Sequence, residues 1–299
     1  MKIVVSGGTG MIASALLRIA RQEGHEAIAI VRPHSARMEQ LPEGVKVIEL
    51  DLADYATAEV SERADVFFHL AWAKTSVAGR DDVKTQEENI AYTLGAVELA
   101  HRMGAKKFVG AGSQAEYGRK ETGEKLGSFT SCNPESGYGI AKYASGKLSR
   151  IACEKYGISH SWTRILSIYG KNDAKTTLIS YLANCFCTGV TPELTKCEQI
   201  WDYLNVEDAA RALLLVGEKG LHGKTYPVGS GNGRLLSDFV KEMRDELSPS
   251  SDIAFGKKDY YPHQPMYMVA DLSELTKDTG FTPSISFREG IRRTYKESL

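Results

Sequence analysis

Tyr138 and Lys142 stand four residues apart in the stretch that runs from Asn133 through Pro134, Glu135 and Ser136 into a helical pattern ending near Tyr156. On a helix that spacing puts both side chains on one face. A free phenol titrates at about pH 10, too high for proton transfer at neutral pH. An ammonium beside it favours the phenolate and lowers that value, toward the range where acid/base catalysis works best. Ser113, upstream, could bond a substrate oxygen and hold it against Tyr138, and Lys142 could bond the ribose of a nicotinamide. The chemistry such a trio can do is hydride transfer at an oxygen-bearing carbon, with the phenol moving the proton. The Tyr-x-x-x-Lys spacing is common by chance, so its weight comes from the elements that place it.

The first of these elements is residues 2–14. The β-branched run Ile3, Val4 and Val5 reads as a strand, Gly7, Gly8 and Gly10 follow at once, and an apolar-periodic helix runs from Met11 to about Arg21. Strand, tight glycine turn and helix bring backbone N–H groups and a helix N-terminus to one spot, which suits a pyrophosphate. In the spacing Gly7-x-x-Gly10-x-x-Ala13, a small Ala takes the third glycine's place. Residues 27–31 form a second strand, ending in Arg32 with Arg37 close behind. An NAD enzyme usually places an acid there to bond the ribose hydroxyls, and none is present. A cation suits a 2′-phosphate, which favours NADP, with NAD as the alternative.

Residues 45–50 and 65–70 read as further strands. Asp51 and Leu52 could bracket an adenine, and His69 at a strand end reads as a structural histidine. Gln86 to Met103 reads as a long helix burying Ile90, Leu94, Val97, Leu99 and Ala100, and 106–111 as a fifth strand. The alternation implies an α/β chain with a doubly wound parallel sheet. Ligands of such sheets bind beyond the carboxyl ends of the strands, where Ser113 falls.

Composition narrows the class. Of 299 residues 42% are hydrophobic and 25% charged, and the net charge is −1. No basic stripe suggests a nucleic-acid partner, and no run of about twenty apolar residues suggests a membrane span. The N-terminus reads as strand rather than signal peptide. Five irregularly spaced cysteines suggest reduced thiols in the cytoplasm. Cys185, Cys187 and Cys197 lack a fourth ligand at zinc spacing, so no metal is expected.

At this point the chain resembles an extended short-chain dehydrogenase/reductase of the NAD-dependent epimerase/dehydratase family. The matching segments are GGTGMIAS (7–14), HLAW (69–72), Asn89 in 86–100, SQAEYG (113–118), YGIAK (138–142), TRILSIYG (163–170), WDYLNVEDAA (201–210), YPVGSG (226–231) and FTPSISFREGI (281–291). The resemblance implies a Rossmann sheet with a smaller mixed α/β lobe, and Ser113, Tyr138 and Lys142 as the catalytic trio. It implies a dinucleotide held by Gly7, Gly10, Met11, Ile12, Arg32, Asp51, Leu52, Leu70, Ala71, Lys74, Asn89, Tyr138, Lys142 and Leu166. It also implies a nucleotide-sugar substrate and a homodimer built on helices 86–103 and 136–156.

Departures from the family refine the expectation. Sugar dehydratases carry an Asp-Glu pair after the Ser/Thr, and here Gln114 and Ala115 follow Ser113, so dehydration is disfavoured. Two arginines that commonly hold the nucleotide's phosphates are missing: one position is Trp201, the other lies in Tyr261-Pro262-His263-Gln264-Pro265. Either Lys171, Arg288 and Arg292 do this job or the substrate is not a standard nucleotide sugar; the likeness of 199–210 to reductases of 4-keto-6-deoxy nucleotide sugars keeps that substrate class first. The expected activity is reduction of a 4-keto-6-deoxy nucleotide sugar, the alternative an epimerase with retained NAD. A cofactor-sensing protein without catalysis fits poorly, because Tyr138 and Lys142 are both kept.

In the second half, 158–166 reads as a strand, 176–188 as a helix, 206–216 as a helix with Glu207 and Asp208 suiting its dipole, 224–229 as a strand, and 236–247 as a helix capped by Ser237. Residues 1–167, with 201–230 returning, are expected to form the dinucleotide domain. Residues 168–299 are expected to form the substrate lobe, with the last 60 residues over the sheet's carboxyl edge.

Overall fold

The computed structural model describes residues 1–75, 77–120, 123–261 and 264–296. The chain runs β1 (Lys2–Ser6), α1 (Met11–Gln22) and β2 (Glu26–Val31), then β3 (Lys46–Glu49) and β4 (Val66–His69) joined by turns in place of the helices that strict alternation would put there, then a one-turn α2 (Val77–Arg80), the long α3 (Val83–Arg102), β5 (Lys107–Ser113), α4 (Gly137–Lys155) and β6 (Ser159–Ile165). Shorter pieces follow: β7 (Ser167–Tyr169), α5 (Leu178–Thr188), β8 (Ile200–Trp201), β9 (Tyr203–Asn205), α6 (Val206–Lys219), β10 (Thr225–Val228), β11 (Arg234–Leu235), α7 (Leu236–Leu247), β12 (Tyr267–Met268), α8 (Ser273–Thr279) and α9 (Phe287–Ile291).

Seven strands pair in the order β10-β6-β5-β4-β1-β2-β3, all parallel. A parallel sheet covered on both faces needs strands that are apolar throughout, and Ile3, Val4 and Val5 are fully buried. Because successive side chains point to opposite faces, Ile3 and Val5 join α1 and α6 in one cluster, while Val4 joins α3 and α4 in the other. The chain winds outward from β1 through β2 to β3 on one side, and from β4 through β5 to β6 on the other. The crevice where the winding reverses lies at the carboxyl ends of β1 and β4. This is the doubly wound Rossmann arrangement the sequence implies, with strand ends within two residues of those expected.

A smaller three-stranded sheet, β11-β8-β12, and a parallel pair, β7-β9, lie beside it among the described residues. Tyr203, Phe239 and Phe287 pack edge-on or tilted against one another beneath α5, α7 and α9.

Three expectations need correcting. The last 60 residues do not all lie over the carboxyl edge. Leu275 and Phe281 join the core with α6, and Lys224 Nζ donates to Glu274 and Asp278, 2.6 and 2.7 Å, while Tyr226 Oη donates to Asp278, 2.9 Å. Ser237 is not a helix cap: Leu235 precedes α7, and the N–H groups of Leu236 and Ser237 donate to the carbonyls of Gln199 and Cys197, which leaves a side-chain cap nothing to do. In α3, Ile90 and Leu94 are only half-buried, and Thr85, Gln86, Asn89 and Thr93 take the buried positions of its first half. That half faces the crevice rather than the apolar core. Asp82 caps this helix by accepting from Thr85 N and Oγ1, so it starts three residues early. All five cysteines are free thiols. Among the described residues no helix is long and apolar enough to cross a membrane.

Candidate active site

The glycine turn forms a cradle at the end of β1. Gly7 has φ +73°, and the N–H groups of Gly7 and Gly8 donate to Ile30 O at 2.9 and 3.1 Å. A Cβ at Gly7 would stand 2.9 Å from Ala71 Cα, and one at Gly8 2.7 Å from Ala29 Cβ. Gly10 precedes α1 and supplies no side-chain cap, so the first-turn N–H groups around Met11 and Ile12 point at the crevice without a side-chain acceptor. Close backbone approach with uncapped donors fits a dinucleotide's pyrophosphate. Thr9 Oγ1 and the Ser35 hydroxyl, 3.2 Å apart and buried, tie the cradle to the loop after β2. Arg32 is exposed at the head of that loop. Asp51 is exposed and its carboxylate caps the turn 52–54 by accepting from Ala53 N, 3.1 Å, with the half-buried Leu52 packed beneath.

The loop after β4 carries Leu70, Ala71 and Lys74. Asn89 fastens it: Oδ1 accepts from Ala73 N at 2.8 Å, and Nδ2 donates to the carbonyls of Ala73 and Thr85. Lys74 pairs with Asp82 at 2.5 Å. His69 is structural, as its position suggests. It is buried between the Ser6 hydroxyl (2.9 Å) and Thr93 Oγ1 (3.4 Å), and burial pushes its pKa down to about 3.

Ser113, Tyr138 and Lys142 meet at the carboxyl end of β5. Ser113 closes the strand. Its N–H donates to Glu116 Oε1 at 2.9 Å and its hydroxyl accepts from Ala115 N at 3.2 Å, and that hydroxyl is near enough to the Tyr138 phenol to favour its ionised form. Lys142 is buried, with Nζ donating to Ala111 O at 2.7 Å and lying 3.6 Å above the Trp72 ring. Burial pushes the Lys142 ammonium down to about 7. Leu166, buried at the end of β6, packs with Tyr117, Leu126 and Met268.

The expected effect of Lys142 on the phenol is corrected here. Burial holds the Tyr138 pKa above its ordinary value, and the opposing influences are the Ser113 hydroxyl and the charge of Arg80. The lysine does not lower it because burial brings Lys142 itself down to about 7, so it has lost its charge before the phenol titrates.

Sequence reasoning passed over four residues of this neighbourhood. Trp72 stands edge-on to Tyr138, ring centroids 5.9 Å apart, and its Nε1 donates to Gln86 Oε1 at 3.0 Å. Gln86 Nε2 in turn donates to Gly79 O at 2.8 Å. Glu116 is buried behind Ser113, where it also accepts from Trp162 Nε1 and Arg164 Nε, both at 2.9 Å. Arg80 lies over the Tyr138 ring, 4.9 Å from its centroid. The buried acid and arginine within the SQAEYG and TRILSIYG segments carried the signal for Glu116. Arg80 sits in no motif.

The candidate phosphate substitutes fare poorly. Arg288 pairs with Glu242 and Glu246, and Arg292 with Glu246 and Glu289. Lys171 is exposed just past β7. Trp201 Nε1 donates to the Ser167 hydroxyl at 2.8 Å, and that hydroxyl reaches Gln114 Oε1 at 3.5 Å. Pro262 and His263 lie outside the described residues.

Comparisons with known proteins place the chain among its relatives. The chain is 29% identical to a dTDP-glucose 4,6-dehydratase of Escherichia coli, over 98% of this chain and 92% of the relative. It is 25% identical to a CDP-abequose synthase of Salmonella typhimurium, over 98% and 97%. Among solved structures, its fold matches a UDP-N-acetylglucosamine 4-epimerase from Methanobrevibacter ruminantium with TM-score 0.88, 24% identity, and 99% and 97% of the two chains covered. A UDP-glucose 4-epimerase from Thermotoga maritima matches with TM-score 0.86, 23% identity, and 99% and 98% covered. The family model described as NAD dependent epimerase/dehydratase matches residues 3–229. With that match across the sheet, the glycine cradle and the Ser113, Tyr138 and Lys142 cluster, the chain belongs to the NAD-dependent epimerase/dehydratase family, enzymes of the extended short-chain dehydrogenase/reductase type.

Proposed function

We propose that this enzyme reduces the keto group of a 4-keto-6-deoxy nucleotide sugar. The carrying observation is the clustering of Ser113, at the end of β5, with the buried Tyr138 and Lys142 of α4, in a chain that has Gln114 and Ala115 where dehydratases carry acids. The dehydratase and synthase relatives support the substrate class. Gly7, Gly10, Met11 and Ile12 would take the pyrophosphate, and Asp51 and Leu52 the adenosine. Leu70, Ala71, Lys74, Asn89 and Leu166 would wall the nicotinamide half.

A bound dinucleotide supplies the hydride. Tyr138, protonated at neutral pH as an ordinary phenol is and held further toward the neutral form by burial, gives the proton to the carbonyl oxygen. Ser113 bonds the same oxygen and aligns it with the phenol. Lys142 would bond the ribose of the dinucleotide. A phenol so placed contributes on the order of 10² to 10⁴ in rate.

Absorbance of NADPH and NADH during incubation with the 4-keto-6-deoxy derivatives of CDP, dTDP, GDP and UDP tests the reading, and no consumption with any of them rejects it. Protein that carries NAD as purified and needs none added would instead mark an epimerase. Arg32, exposed at the end of β2, supports NADP as the cofactor. Its replacement in Arg32→Ala is expected to raise KM for NADPH about tenfold or more, as for a lost charge-assisted bond, and to leave NADH nearly unaffected. We further propose a cytoplasmic homodimer joined through α3 and α4.

A further inference from the structure

Arg80 ends α2 at the edge of the crevice, and its place is tightly defined. Gly79 O is held by Gln86, and a Cβ at Gly79 would come within 2.6 Å of Lys74 Cβ. The loop therefore closes on itself and carries Arg80 over the Tyr138 ring at 4.9 Å. The side chain is exposed. Its one hydrogen bond among the described residues runs from Nε to Thr75 O, 3.1 Å, and it forms no ion pair among them. Both terminal nitrogens thus present their N–H donors in a planar fork, the geometry that grips carboxylate or phosphate. Lys74, the other cation of this loop, is already paired with Asp82. The Arg80 charge acts on both Tyr138 and Lys142. Two cations sharing one crevice repel each other unless an anion enters.

We propose that Arg80 is the residue that grips the substrate's anionic group, a phosphate or a sugar carboxylate, within one sugar unit of the carbon reacting at Tyr138. Arg80 then answers for the missing phosphate arginines from a different wall of the crevice, since Trp201 is bonded to Ser167 and Arg288 and Arg292 are paired with acids. The choice of ligand rests on the nucleotide-sugar reading; the gripping of an oxyanion does not.

Calorimetric titration of NADH-saturated wild type, Arg80→Gln and Arg80→Lys tests it, because NADH occupies the glycine cradle and leaves the substrate side open. The probes are UDP, CDP, dTDP, GDP, UDP-glucose, UDP-glucuronate and inorganic pyrophosphate. Arg80→Gln is expected to bind its best diphosphate about tenfold or more weakly, with partial rescue in Arg80→Lys and unchanged NADH affinity. An equal loss for UDP-glucose and UDP-glucuronate assigns the phosphate. A loss confined to UDP-glucuronate assigns the carboxylate. If wild type binds pyrophosphate through Arg80 but none of the nucleotides, the nucleotide-sugar reading fails and Arg80 stands. Equal affinities in wild type and Arg80→Gln, or no binding of any probe by wild type, overturn the proposal.

Discussion

Tyr138→Phe deletes one oxygen and tests the phenol directly. Turnover should fall by about 10² to 10⁴, while loss of the one buried hydroxyl should change stability by only about 1 kcal/mol. A steady-state assay beside a thermal melt separates the two effects. Lys142 makes a prediction about pH. Its folded pKa, about 7, lies below the unfolded value of about 10.4. Between those values the unfolded chain binds a proton that the folded chain does not, so stability rises with pH across that window. Below about pH 7 both states are protonated and the full cost of burying the charge is present. Lys142→Met removes this dependence. Its stability relative to wild type should be greatest below pH 7 and should decline by roughly 2–4 kcal/mol toward pH 10, the Trp72 face offsetting part of the shift. Urea midpoints at pH 6, 8 and 10 measure it, and a constant difference would refute it. Tyr138 and Lys142 could be read from sequence because a four-residue spacing on a helix fixes their relation. Arg80 could not, because it meets Tyr138 across a loop with no periodicity of its own.

Among the elements, legibility followed the length of the pattern. The β1-turn-α1 unit was plain because a β-branched run, three glycines and an amphipathic stretch are contiguous. β8, β11 and β12 have two residues each, too few for any period to show. What positions such short strands is a buried carboxylate. Asp202, fully buried between β8 and β9, accepts from Ser230 N and Oγ, Gly231 N and Ala270 N at 2.6–3.0 Å. A sequence shows the Asp but not the three distant N–H groups it collects. Asp202→Ala leaves those donors buried and unpaired, at an expected cost of about 2–4 kcal/mol. The thermal midpoint should drop by several degrees, which calorimetry can read, and an unchanged midpoint would show that the carboxylate is not what joins these loops. Asp208 shows the same limit. It was legible as an acid suited to the dipole of α6, yet in the fold its carboxylate also accepts from Ser284 N and Ile285 N at 2.8 and 2.9 Å.

For the whole molecule the open question is the outer face of the α3 and α4 layer. These helices pack on each other against one side of the sheet. The solvent side of α4 carries Ile140, Leu148 and Ile151, which are 53%, 42% and 57% exposed and are spaced to form one stripe. An apolar stripe of this kind on a protein surface marks a place of association, and a second copy related by a twofold axis would cover it with the same stripe. Light scattering after size exclusion should therefore give twice the chain mass. Ile151→Asp should give the chain mass instead, because a carboxylate on the stripe would be buried unpaired in the dimer but stays in water in the monomer. Since Ile151 is largely exposed within one protomer, the variant should keep its circular dichroism and bind NADH. A wild type that runs as a monomer would leave the stripe without this role, and a dimeric Ile151→Asp would move the interface to another face of the sheet.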